Sequence, residues 1–267
     1  MIIKSYQRLT AIFLTLFLEL AMLSIFSAIA ISLDTEQQRS LLAKDELLAQ
    51  RRRARLRFKV PNIRPSGNLE GGIARGNCGL DGAKKLQMKV LLPNTNIGLT
   101  TAERPTFFVQ ISQTSIKEAK FILLNDKGDT IIYDQNFPLT KTGGIISVTL
   151  PPNGEALEVG KEYRWELAVL CDPDDQTGNP RIQGAIQRIQ PSQQLANDLA
   201  KVSVRDRVDL YASEGFWYDT LKTLADLRLA NPNDPTLAND WKELLDYAGL
   251  STIDREPLLQ CCTLKTE

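Results

Sequence analysis

Four cysteines, Cys78, Cys171, Cys261 and Cys262, are the residues of this chain most suited to covalent chemistry. An even number suits disulfides, which persist in oxidising compartments. Cys261 and Cys262 are adjacent, and a bridge between neighbours is strained, so each is expected to take a distant partner. Cys171 then joins Cys261 or Cys262 and Cys78 takes the other; spacing leaves the two arrangements open. Zinc is the competing use of four thiolates. It is disfavoured by the lack of any C-x-x-C pair and of any histidine in the chain. The missing histidine also removes the commonest general base and the usual partner of a Ser or Cys nucleophile.

The segment Asp172-Pro173-Asp174-Asp175-Gln176-Thr177-Gly178-Asn179 holds the densest carboxylates. Three acids within four residues offer hard oxygen ligands to Ca²⁺. The spacing departs from an EF-hand, with Gly178 at position seven and Gln183 at position twelve. A Pro/Gly-rich hairpin loop between two strands accounts for the same residues and is favoured. The same carboxylates could serve an enzyme acting on envelope carbohydrate, but paired acids need a concave site. No phosphate-binding loop, dinucleotide fingerprint or nucleophile elbow is present. The motifs therefore imply no cofactor and no metal, and they point away from an enzyme.

Lys plus Arg number 32 and Asp plus Glu number 32, so the chain is formally neutral. Bulk charge gives no reason to expect a nucleic-acid partner. One basic run stands out: Arg51, Arg52, Arg53, Arg55, Arg57 and Lys59 place six positive charges in nine residues. It suits anionic lipid headgroups or an acidic partner. A solvated linker is the plainer reading and the preferred one.

The elements around these residues fall into four parts. Residues 1–30 read as a signal peptide: Lys4 and Arg8, an apolar run from Leu9, and small residues Ala28 and Ala30 before a cleavage site. The alternative is a single-pass anchor through residues 9–33, long enough to span a bilayer but interrupted by Glu19. A periplasmic or secreted location follows from the first reading. Residues 31–82 read as a linker, charged at first and then rich in Gly and Pro. Residues 83–190 read as a β-sandwich of the immunoglobulin or fibronectin type III kind. Seven strands are expected: Leu86–Leu92, Thr106–Ile111, Ala119–Leu124, Thr130–Tyr133, Ile145–Leu150, Glu162–Leu170 and Arg181–Ile189. Residues 191–267 read as helical, opening with Pro191 at the first helical position. Gly215 breaks the helical run, and Asn231-Pro232 and Gly249 are further stops.

Two local patterns refine this. Leu157, Gly160 and Tyr163 have the spacing of a tyrosine corner, in which a Tyr hydroxyl bonds back to upstream backbone. Tyr163 and Gly160 are thus structural, and Trp165 is the central aromatic of an alternating buried face. Gly215, Tyr218, Leu224 and Pro232 resemble about one and a half tetratricopeptide repeats, too few for a free-standing solenoid.

Longer stretches resemble the cyanobacterial domain of unknown function family 928. They are Gly98–Val109, Ser112–Ala119, Leu157–Asp175, Ile186–Ile189, Gly215–Asp219 and the Cys261-Cys262 end. The chain departs from the family at Gln110, which stands where an aromatic is usual; that position is then exposed or divergent. The resemblance implies an exported cyanobacterial protein and carries no activity or catalytic residue with it. The expected function is a non-catalytic periplasmic interaction module binding another envelope protein. A membrane-tethered sensor domain is the reading if residues 9–33 remain as an anchor.

Overall fold

The structure is a computed structural model of the 267-residue chain, and it describes residues 38–39, 56–65, 86–152, 154–171, 178–260 and 262. The apolar run at 9–33, Arg51 to Arg55, Cys78, the 172–177 acidic segment and Cys261 lie outside the described residues. The chain divides into two units, Met1–Ala54 and Arg55–Glu267. Of the first, Gln38 and Arg39 are described, both helical and exposed. Among the described residues no helix is long and apolar enough to cross a membrane.

The second unit is mixed α/β, with two sheets followed by four helices. The strands are β1 (Met88–Val90), β2 (Ile97–Thr100), β3 (Thr106–Ile111), β4 (Glu118–Asn125), β5 (Ile131–Pro138), β6 (Gly144–Thr149), β7 (Glu162–Val169) and β8 (Arg181–Arg188). The smaller sheet has the order β1-β3-β6 and the larger β2-β8-β7-β4-β5. Every pairing is antiparallel except β2 with β8, which is parallel in the register Ile97↔Ala185 to Thr100↔Arg188.

Seven expected strands correspond to observed ones, and β2 is an eighth that the pattern did not reveal. Its four residues are all buried, so it has no alternation to read. Gly98 sits there because an added Cβ would lie 2.7 Å from the Tyr218 ring. β1 is shorter than expected, although Leu91 N still donates to Phe108 O at 3.1 Å; Pro93 then ends the run by removing a donor. β5 runs five residues past Tyr133, through Asp134, Gln135 and Asn136. These polar residues suit a strand at the sheet edge, where side chains face water. Gln110 is buried in β3, opposite Lys89 and Ile145, so its place in the family's aromatic position is not an exposed one.

The two sheets share one core. The Phe107 ring of the smaller sheet lies 4.8 Å from Phe121 and 5.2 Å from Trp165 of the larger. Such offset and tilted pairs add to the burial energy of the rings. Alternate residues Tyr163, Trp165, Leu167 and Val169 of β7 are buried, as the period-two pattern requires.

The helices are α1 (Gln193–Lys201), α2 (Val204–Glu214), α3 (Trp217–Ala230) and α4 (Pro235–Tyr247), with a 3₁₀ turn at Ser251–Ile253. Pro191 is not at the first helical position. Ser192 is the N-cap, its hydroxyl accepting from Leu195 N at 3.1 Å, and Pro191 precedes it. A side-chain oxygen that satisfies a free amide outweighs the ring's preset φ at this boundary. Ser203 and Asp234 cap α2 and α4 in the same way. Trp217, Tyr218, Leu221 and Leu224 of α3 and Leu237, Trp241, Leu244 and Leu245 of α4 join the same core as the sheets.

Residues 56–65, read from sequence as part of a linker, pack on the helices. Phe58 is buried, with its ring 5.2 Å from Trp217 and 5.3 Å from Tyr247. Lys59 N donates to Ala212 O at 2.9 Å, and Leu56 N donates to Glu243 Oε2 at 2.8 Å. Arg57 and Lys59 alternate with these residues and are exposed.

Asp240 of α4 pairs with Arg205 of α2 and is buried. Burial raises its pKa to about 6, against the opposing pull of Arg205. A carboxyl raised in the folded state binds its proton more tightly folded than unfolded. Its contribution is therefore fully favourable below the unfolded value of 3.8 and is lost as pH rises through about 6. The wild type is expected to gain stability between pH 7 and pH 4 relative to Asp240→Asn, by about 1–3 kcal/mol. Urea midpoints of the two proteins across that range check it; parallel curves would refute it.

Candidate functional site

The first turn of α3 carries side chains bonded to distant parts of the sheets. Phe216 is its N-cap residue, and Trp217, Tyr218 and Asp219 follow. Trp217 Nε1 donates to Leu91 O at 2.8 Å. Tyr218 Oη accepts from Trp165 Nε1 at 2.8 Å and donates to Ala185 O at 3.0 Å. Asp219 accepts from Thr101 N at 3.1 Å and from Thr101 Oγ1 at 2.5 Å. One helical turn thus grips the chain after β1 and β2 and reaches β7 and β8.

Tyr218 and Asp219 line one side of a cleft of about 210 Å³ between α3 and the ends of β2, β3 and β6. Thr100, Arg104, Thr106, Thr149, Tyr211, Asp219 and Lys222 supply its polar surface. Burial raises the pKa of Asp219, while hydrogen bonds from Thr101 and Thr100 oppose the rise. Tyr211 is also raised, by burial first and by the nearby Asp219 charge second. Perturbed groups in a cleft mark a candidate site. Here both Asp219 oxygens already accept hydrogen bonds from Thr101. Thr106 and Thr149 hydroxyls bond each other at 2.8 Å. Arg104 donates to Pro151 O and Gly154 O at 3.1 and 2.9 Å. The arrangement is suited to holding elements rigid.

A second cleft, of about 530 Å³, lies at the start of β7 and is bounded by Asp126, Glu155, Glu158, Glu162 and Tyr163. Tyr163 Oη accepts from Glu158 N at 2.9 Å, and Tyr163 is buried. Gly160, at φ +82°, donates from its N to Arg188 O at 2.7 Å. That left-handed conformation is one a side chain rarely adopts. Tyr163→Phe removes one hydrogen bond whose donor, Glu158 N, lies near the surface. A loss of about 0.5–1.5 kcal/mol is expected, read as a small drop in thermal midpoint.

Trp165 is almost wholly buried and is tied to Tyr218 as described. Cys171 follows β7, with its N donating to Asn179 Oδ1 at 2.9 Å across the base of the acidic segment. Cys262 is buried. Neither of these two described cysteines is a free thiol. Among the described residues, no group of three or more Cys, Asp or Glu is placed to hold a metal ion.

Sequence reasoning singled out Tyr163, Gly160 and Trp165 but not Asp219, Thr101 or the hydroxyl of Tyr218. The one signal for them was the Gly215–Asp219 turn, whose three aromatics Phe216, Trp217 and Tyr218 precede an acid in a first helical turn.

Together these features define a protein of two sheets followed by a helical segment, with buried polar bonds from α3 tying it to both ends of the larger sheet's strands. The family model described as a Domain of Unknown Function, number 928, matches residues 70–258, and the chain belongs to that family. No curated protein matches it.

Proposed function

We propose that the protein is a non-catalytic interaction module of the cyanobacterial envelope. In this reading an immunoglobulin-like sandwich carries a helical segment related to tetratricopeptide units, and together they dock another envelope protein. The observation that carries it is Asp219. The acid at the sheet–helix junction commits both oxygens to Thr101, which favours a rigid docking body over a reactive centre.

Export rests on the basic start, the apolar run from Leu9 and the small residues Ala28 and Ala30. Two bridges among Cys78, Cys171, Cys261 and Cys262 belong to the same proposal. The exposure of Arg57 and Lys59 on either side of buried Phe58 supports a basic surface available to anionic membrane headgroups.

Affinity capture of the tagged full chain from the native envelope tests the interaction. A partner retained in stoichiometric amount is expected, and its absence would refute the reading. N-terminal sequencing of the mature protein is expected to begin at Ile31, and thiol titration without reductant to find no free thiol. A native protein starting at Met1 with four reactive thiols would refute export.

A further inference from the structure

β6 forms one side of the three-stranded sheet, and β3 pairs along its inner edge in full register. Leu150 N donates inward to Pro105 O at 3.3 Å. Ile145 instead faces outward: its N donates to Pro257 O and its O accepts from Leu259 N, both at 2.8 Å. A short C-terminal strap thereby adds to the outer edge as a parallel bridge of Ile145 with Leu258.

Backbone groups alternate sides along a strand, so Ser147 and Thr149 face outward as Ile145 does. Among the described residues, the strap makes no further bridge to this edge. Among the described residues, no backbone bond reaches the outward N–H or C=O of either. Four ladder groups are left on an edge that already accepts a strand one step away. Thr149 also lines the cleft at α3, so the vacant edge runs into it.

The cleft has a charge preference. Arg104 and Lys222 line it, whereas their carboxylate partners Glu103 and Asp226 do not. The one acid in the lining, Asp219, is bonded to Thr101.

We infer that the outer edge of β6 at Ser147 and Thr149 receives an extended acidic peptide of a partner protein, which pairs as an added strand and places an acidic side chain in the cleft between Arg104 and Lys222. Backbone pairing supplies sequence-independent hold, and the cleft supplies selectivity. This inference rests on the interaction reading above and names its site.

The test uses the full chain and a fluorescein-labelled heptapeptide alternating valine and glutamate. Saturable binding is expected, at least about tenfold weaker when lysine replaces glutamate. Ser147→Pro deletes the outward N–H without touching the β3 ladder, as proline is tolerated where the N–H faces solvent. It is expected to weaken binding at least about tenfold, and Ser147→Ala to leave it unchanged. Hydrogen exchange at Ser147 and Thr149 is expected to slow at least about tenfold when peptide is added. Should Ser147→Pro not fold, Lys222→Glu decides, with at least about fivefold weaker binding expected. No binding, equal binding of the lysine peptide, or unchanged exchange at both amides overturns the site. An envelope partner captured equally well by Ser147→Pro overturns the site while leaving the interaction reading intact. Failure to capture any partner, with peptide binding as expected, overturns that reading alone.

Discussion

Trp217→Ala is expected to lower the free energy of unfolding by about 5 kcal/mol, the upper end for deleting a buried aromatic. The ring is fully buried in the core shared by sheets and helices. It packs edge-on against Phe58, with centroids 5.2 Å apart at 87°, so its loss also loosens the 56–65 segment. Its N–H is the donor to Leu91 O, and that carbonyl is left without its partner in a buried setting. Trp217→Phe keeps most of the packing and loses the donor. A cost of about 1–3 kcal/mol is expected for it, so the pair of variants separates volume from hydrogen bonding. Denaturant unfolding measures both. Costs below about 1 kcal/mol for the alanine variant would mean that α3 is not anchored in the core.

Tyr218→Phe is the second large effect, although only one oxygen is removed. The hydroxyl satisfies two buried groups, accepting from Trp165 Nε1 and donating to Ala185 O. Trp165 Nε1 is orphaned, at about 1–3 kcal/mol for an unsatisfied buried group, and Ala185 O, which faces β2 in the parallel ladder, loses its second donor. A loss of about 3 kcal/mol is expected, against about 1 kcal/mol for Tyr163→Phe, whose partner amide lies nearer to water. Trp165→Phe removes the donor from the other side. The double variant should cost less than the sum of the singles, because the two share one bond. Strict additivity would show that the Trp165–Tyr218 bond does not contribute.

Elements with a clean period were legible in the sequence. The alternation of Tyr163, Trp165, Leu167 and Val169 marks β7, and Pro235 with the Trp241, Leu244 and Leu245 stripe marks α4. Legibility failed where partners far along the chain decide the structure. Ile97–Thr100 is an unremarkable apolar tetrapeptide until Ala185 to Arg188 pair with it. Phe58 lies in a run dominated by arginine, and only Trp217 and Tyr247 make it a core residue. The candidate site was the least legible part. Thr101 and Asp219 are 118 residues apart, and only the aromatics just before Asp219 hint at either.

That separation bears on how the molecule comes into being. β2 cannot find its neighbour until β8 exists, and the turn after β2 cannot be fastened until α3 exists. Closing loops of such length has an entropic cost before any contact rewards it, so folding is slow compared with a helical bundle of equal size. A nascent chain that stops short of Asp219 exposes the apolar faces that α3 and α4 later cover. Such a fragment is a target for aggregation and proteolysis. The native contacts of β2 and of the turn after it are accordingly expected only once the C-terminal third has been made.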